Sequence, residues 1–212
     1  MTVQFVQPRF GFNSNIYLVG SGTEAVLIDA GSGADPEVPG QIAGLLNGRK
    51  LRAVLLTHCH SDHAGGVPAI VAQFGCPVFI GSEDLPPLEA ADGAVVSPVG
   101  LLSVPPLKLH PLYDGETIDL GDHRLQVICT PGHTAGSVCF WDQITSALFS
   151  GDTVFRSGYG RCDFPTGSVS AMRNSLFRLR KVNIKTLYPG HDEMAEDGTF
   201  CVSRAIQMLD GC

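Results

Sequence analysis

The densest chemistry in the chain lies in one run, Thr57-His58-Cys59-His60-Ser61-Asp62-His63-Ala64-Gly65-Gly66. Its three imidazoles and its carboxylate are ligand types suited to zinc or iron. The run stands between a short apolar strand, Ala53–Leu56, and a helix expected to begin near Asp62. Residues two apart at a strand end point the same way, so His58 and His60 converge while Cys59 points elsewhere. Asp62 and His63 turn onto the helix entrance and face a second point.

Three further candidates each follow a strand. His133 sits in Thr130-Pro131-Gly132-His133-Thr134, Asp152 in Ser150-Gly151-Asp152-Thr153, and His191 in Tyr188-Pro189-Gly190-His191. Chain reversals at strand ends are where such folds build sites. Four loops thus offer seven ligands: His58, His60, Asp62, His63, His133, Asp152 and His191. That set is what two adjacent metal ions need when one carboxylate bridges them. A single histidine after a strand is more often a satisfied surface or core residue, which is the reading for His110 and His123. The combination and its spacing point to metal. A Ser–His–Asp enzyme is not supported, because no Gly-x-Ser-x-Gly follows a strand and the histidines are already committed.

The elements that must position these ligands alternate along the chain. Apolar runs predict strands at Val3–Phe5, Asn15–Val19, Ala25–Asp29, Ala53–Leu56 and Val78–Ile80. Helical spacing predicts helices over Pro36–Asn47 and Asp62–Phe74. Turn pairs Asp114-Gly115 and Gly121-Asp122 flank strands at Glu116–Leu120 and Arg124–Cys129, followed by Ser137–Trp141 and Ala147–Ser150. A helix at Val169–Arg180, a strand at Lys185–Tyr188 and a helix near Phe200–Leu209 come last. Leu85–Leu107 is proline-rich yet apolar and reads as an irregular excursion. Its Val95, Val96, Val99, Leu101 and Leu102 pack on the core, cap the metal rim, or cover a partner chain in a homodimer. The pattern as a whole fits packed sheets with helices outside.

Composition bounds the partners. The 212 residues suit a single domain over 1–212 with a sizeable core. With 44% hydrophobic and 17% charged residues the chain is globular. Its net charge of −7 argues against binding nucleic acid through phosphates. No apolar run approaches the ~18 residues of a membrane span. Met1–Phe10 has no signal-peptide pattern. The 7 cysteines are odd in number and lack C-x-x-C spacing, which predicts free thiols in a reducing compartment, the cytoplasm. The expected partner is a small-molecule substrate, with no nucleic acid and no membrane.

The four motifs together resemble the metallo-β-lactamase superfamily, and within it the glyoxalase II-like branch, from about Asn13 to His191. The resemblance implies an α/β fold, an αββα sandwich with the metal site at one edge. It implies that His58, His60 and His133 hold one metal, that Asp62, His63 and His191 hold a second, and that Asp152 bridges. The implied cofactors are two divalent metal ions, zinc by preference, with iron or manganese as alternatives. Their hydroxide would attack a small thioester or ester, since zinc lowers the pKa of bound water from 15.7 to about 7. Asp62 and Asp152 are the implied catalytic residues, Asp62 also as a proton acceptor. Family members place a basic residue beside the substrate where Arg161 stands, making Arg161 the expected contact for a substrate anion. Phe155 and Tyr159 line the pocket or belong to the core. The sequence ends soon after His191, without the helical domain that grips glutathione in full glyoxalase II proteins.

Two rivals share the fold. Persulfide dioxygenases are similar at Gly160-Arg161-Cys162-Asp163 and hold one iron with residues matching His58, His133 and Asp152. Lactonases often carry Tyr where this chain has Phe155.

Overall fold

The structure, a computed structural model, describes residues 1–98, 100 and 107–211. Among these residues two sheets form. The first has six strands in chain order: β1 (Thr2–Val6), β2 (Ile16–Ser21), β3 (Glu24–Ile28), β4 (Lys50–Leu55), β5 (Val78–Gly81) and β6 (His110–Leu112). The second comprises β7 (Thr117–Asp119), β8 (Arg124–Cys129), β9 (Val138–Asp142), β10 (Ala147–Gly151) and β11 (Thr186–Pro189), in reverse spatial order. β3–β4, β4–β5, β5–β6 and β10–β11 pair in parallel, and the remaining neighbours pair antiparallel. The helices are α1 (Val38–Leu46), α2 (Ser61–Ala64), α3 (Val67–Phe74), α4 (Leu85–Glu89), α5 (Gly93–Val96), α6 (Val169–Leu179) and α7 (Gly198–Asp210).

The strand period of two distributes the apolar residues between two layers. Tyr17, Val19, Val26 and Ile28 face the second sheet and meet Leu125, Val127, Phe140 and Phe149. Leu18 and Leu27 face the other way, onto Ile42 and Leu46 of α1 and Val67 and Ile70 of α3. On the far side Leu148 and Leu187 meet Met172 and Leu176 of α6 and Val202 and Ile206 of α7. The result is the αββα sandwich. Phe140 and Phe149 are fully buried between the sheets, and truncating either to Ala costs about 3–5 kcal/mol.

Two expectations change, and one element was not expected. The helix foreseen over Asp62–Phe74 is two helices, broken at Gly65-Gly66. A Cβ at Gly66 would lie 2.1 Å from the Ala30 carbonyl oxygen, so the chain must pass backbone against backbone there. Pro68, lacking an N–H, then suits the first turn of a fresh helix. The excursion Leu85–Leu107 contains α4 and α5. Pro86 and Pro87 open α4 rather than disrupt it, and the Asp92 carboxylate caps α5 by accepting from Ala94 N–H at 3.0 Å. Val96 is buried in the core layer around α1 and α3, and Val95 packs on it. Val99, Leu101 and Leu102 lie outside the described residues. Finally, the short edge strand β6 gives no periodic signal in three residues, one of them Pro111. None of the described helices is long and apolar enough to cross a membrane. The six described cysteines are free.

Candidate metal centre

Every expected ligand follows a strand at one edge of the sandwich. β4 leads to His58, His60, Asp62 and His63, β8 to His133, β10 to Asp152 and β11 to His191. The loop after β11 is tied to the first sheet. Tyr17 O–H donates to the Pro189 carbonyl at 2.6 Å, and Asn15 N–H donates to the Gly190 carbonyl at 2.6 Å. Gly190 has no substitute here, because a Cβ would lie 2.3 Å from Asp152 Oδ1.

The side chains converge as three overlapping groups: His58–His60–His133, Asp62–His63–His191 and His58–His63–Asp152, with the ligand atoms of each group within 4.8 Å of one another. His60 Nδ1 stands 2.8 Å from His133 Nε2, and His191 Nε2 is 3.0 Å from Asp62 Oδ2. The Asp152 carboxylate lies between. It is 3.3 Å from His63 Nε2, 3.4 Å from His133 Nε2 and 3.7 Å from His191 Nε2.

In three of the rings the far nitrogen is occupied by the protein. His63 Nδ1 pairs with Asp29 Oδ2 at 2.8 Å, His58 Nδ1 with Thr57 Oγ at 3.0 Å, and His133 Nδ1 with the Arg161 carbonyl at 2.7 Å. Such partners fix ring orientation and leave the other nitrogen free for a metal. The inward atoms His58 Nε2, His63 Nε2 and Asp152 Oδ1 are buried and have no hydrogen-bond partner. A buried unpaired polar atom costs about 1–3 kcal/mol, and several converging at one point suit a cation. The residues present therefore fit divalent metal ions.

The charges agree. Burial, then neighbouring His63 and His60, holds His58 well below the usual imidazole range. Burial, then His133, lowers His60 to about 3. Both rings thus offer lone pairs at neutral pH. Burial opposes charge on His63, but Asp29, Asp152 and Asp62 outweigh it and raise it well above its ordinary value. Burial likewise opposes charge on Asp152, yet His63 and then His133 hold it ionised, far below the carboxylate range.

Several functional residues gave no clear sign in the sequence. Asp29 stands at the end of an apolar run, which is a usable signal for a buried acid with a task. It adopts a left-handed backbone, with φ 58°, and its carboxylate also accepts from Thr57 N–H at 2.8 Å. Asp84 gave none, sitting in what reads as a polar turn. Its carboxylate is buried and accepts from Cys59 N–H at 2.9 Å, Thr134 O–H at 2.7 Å and Gly136 N–H at 2.7 Å. It thereby joins the loop of His58 and His60 to the loop of His133.

The other expected residues sort as follows. Cys59 is buried in the helix-side core, and burial followed by Asp84 pushes its thiol up. Phe155 lines the cavity over the ligands, whereas Tyr159 packs on the core beneath α6 and α7. Arg161 also lines that cavity, but its guanidinium is held by Asp163 through two bonds of 2.7 and 2.6 Å. His110 lies exposed on β6, and His123 pairs with Asp142 at 3.0 Å. The basic residues Arg173 and Arg178 of α6 form exposed pairs with Asp210 and Asp114.

The sequence matches the Metallo-beta-lactamase superfamily over residues 9–191. It is 34% identical over 200 residues to a probable metallo-hydrolase of Methanocaldococcus jannaschii, covering 92% of this chain and 95% of that protein. It is 35% identical over 185 residues to the hydroxyacylglutathione hydrolase of Methylococcus capsulatus, covering 84% of this chain and 65% of that protein. Among solved structures, a protein in a di-iron-bound form superposes with a TM-score of 0.77 at 34% identity, covering 97% of this chain and 98% of that one. Fold, ligand cluster and sequence agree, and the chain belongs to the metallo-beta-lactamase superfamily.

Proposed function

We propose that this metallo-hydrolase cleaves small thioesters or esters. His58, His60 and His133 would hold one divalent ion and Asp62, His63 and His191 a second, with Asp152 available to both. The observation that carries this reading is the set of buried, unpartnered atoms aimed inward from rings whose far nitrogens are already bonded. Metal ions bound there supply a nucleophile at neutral pH and polarise the carbonyl of the substrate. Oxygen and nitrogen donors suit zinc and iron alike, and the di-iron form of the structural relative supports iron as well as zinc.

The protein's own groups have separable tasks. Asp29, Thr57 and the Arg161 carbonyl orient the rings and fix their tautomers. Burial works against the charge of Asp62, but His63 and the hydrogen bond from His191 keep it below the usual carboxylate value. It is therefore ionised at neutral pH. In the net reaction the oxygen of water joins the acyl carbon and the carbon–sulfur bond breaks. The thiol leaves with one hydrogen, and the acid carries the other.

Likeness to a hydroxyacylglutathione hydrolase supports the thioester class. The approach of His191 to Asp62 supports two metals over one iron, because a single iron on His58, His133 and Asp152 leaves that pair unused. The test is steady-state hydrolysis of acetyl and lactoyl thioesters by zinc-loaded protein. Turnover that disappears with chelator and returns with metal is expected. No thioester turnover, with oxygen uptake on glutathione persulfide by iron-loaded protein, would establish the dioxygenase instead.

A further inference from the structure

A cavity of about 700 Å³ opens over the ligands, with His60, Asp62, His133, Asp152 and His191 in its floor. Its walls are apolar, and three of them are phenylalanines: Phe12, Phe155 and Phe164. Each ring touches a ligand histidine. Phe12 stacks on His191 with centroids 5.3 Å apart, Phe155 meets His191 edge-on at 6.2 Å, and Phe164 meets His60 edge-on at 5.7 Å. Phe12 is 63% exposed, a large apolar ring left in water beside the metal ligands. Its loop is nonetheless fixed, since Asn13 Nδ2 donates to the Phe10 carbonyl at 2.7 Å and Asn13 Oδ1 accepts from Ser32 N–H at 2.8 Å. Val96 and Pro98 extend the apolar wall.

The charge of the rim is equally specific. Among the described lining residues Arg161 is the one Lys or Arg. Its Nε and Nη2 donate to the two carboxylate oxygens of Asp163, and its Cζ lies 3.9 Å from the Phe164 ring centroid. Asp192 adds an acid to the rim, its Oδ2 accepting from Ser157 O–H at 2.6 Å. An anionic substrate group thus meets a guanidinium already neutralised and a further carboxylate.

The geometry points to a neutral substrate with an aromatic acyl group, seated on Phe12, Phe155 and Phe164, while Asp163 keeps Arg161 out of anion recognition. This rests on the thioester or ester hydrolysis proposed above and names its substrate class. It also reverses the role that the sequence suggested for Arg161.

The experiment compares kcat/KM of the metal-loaded full chain on phenylacetyl, acetyl and glutaryl thioesters of N-acetylcysteamine, which share one neutral leaving group. Phenylacetyl is expected to exceed acetyl by about tenfold, and glutaryl to fall below acetyl. Phe164→Ala lowers the phenylacetyl-to-acetyl ratio about fivefold. Asp163→Asn, at an exposed position, raises the glutaryl-to-acetyl ratio about tenfold by releasing Arg161. Removing the whole pair, Arg161→Ala with Asp163→Asn, leaves that ratio where it was in the parent. Equal rates on phenylacetyl and acetyl, or a selective loss of glutaryl turnover in the double variant, overturns the inference while leaving the hydrolase intact. If no thioester is cleaved, the thioesterase reading fails and calorimetry judges the pocket alone. Tighter binding of 4-phenylbutan-2-one than of 4-oxopentanoate supports it, and equal binding or the reverse overturns it.

Discussion

Asp29 divides its carboxylate between two ligand segments, taking Thr57 N–H with Oδ1 and His63 Nδ1 with Oδ2. It sets the His63 ring without reaching the metal position itself, and a left-handed backbone is what turns it there. Partners of this kind typically contribute 10–100-fold, roughly, to metal affinity. Asp29→Asn keeps the shape but removes the charge that faces the imidazole. The expected outcome is a loss of metal affinity on the order of tenfold or more, read by competition with a chelator. Unchanged affinity would reduce Asp29 to a strand cap.

The approach of α2 and α3 to the end of β3 shows what local sequence conveys and what it leaves out. The ligand motif was legible because imidazoles two apart after an apolar strand have few other uses, and two of the three later loops repeat Pro-Gly-His after a strand. All seven expected ligands come together. The break between α2 and α3 was not legible, because the apolar spacing of Val67, Ile70, Val71 and Phe74 continues a helix that backbone contact with Ala30 forbids. Asp84 escaped for a related reason: a short acid in a turn reads as solvated, and only tertiary structure buries it. The pairing of Arg161 with Asp163, two residues along, is local, but its consequence for charge at the rim is a property of the pocket. The break at Gly66 is testable. Ala30 N–H donates to the His63 carbonyl at 2.7 Å, so pushing Ala30 aside also moves a ligand. Gly66→Ala should lower both the melting temperature and metal content. Gly44→Ala on α1, where a Cβ meets open space, should stabilise by about 0.5–1 kcal/mol instead. Equal behaviour of the two variants would show that the close approach is dispensable.

The whole molecule is two sheets clamped face to face, with the ligands drawn from both. β4 belongs to one sheet and β8, β10 and β11 to the other, so metal binding and sheet packing stabilise each other. Away from the site, Asp142 at the end of β9 gives acid sensitivity to this frame. Burial works against its charge, but Thr145 and His123 and the backbone N–H groups of Ile144 and Thr145 hold it below its ordinary 3.8. A carboxyl lowered in the folded state stabilises above the unfolded value and loses that contribution as pH falls through the folded one. The stability gap between the parent and Asp142→Asn should therefore be full above about pH 4 and shrink below it, as seen by melting at several pH values. A gap constant down to the lowest pH that retains folding would contradict this. At the centre, the Asp152 carboxylate lies within 3.7 Å of His63, His133 and His191, so under the proposed two-metal reading its removal affects both ions. The most direct measurement is metal analysis of protein purified without added metal, for the parent chain and for Asp152→Ala. About two divalent ions per parent chain, with both lost or weakened in the variant together with thioester turnover, are expected. One ion per parent chain, or a variant that keeps the parent's metal and rate, would contradict a bridged two-metal hydrolase.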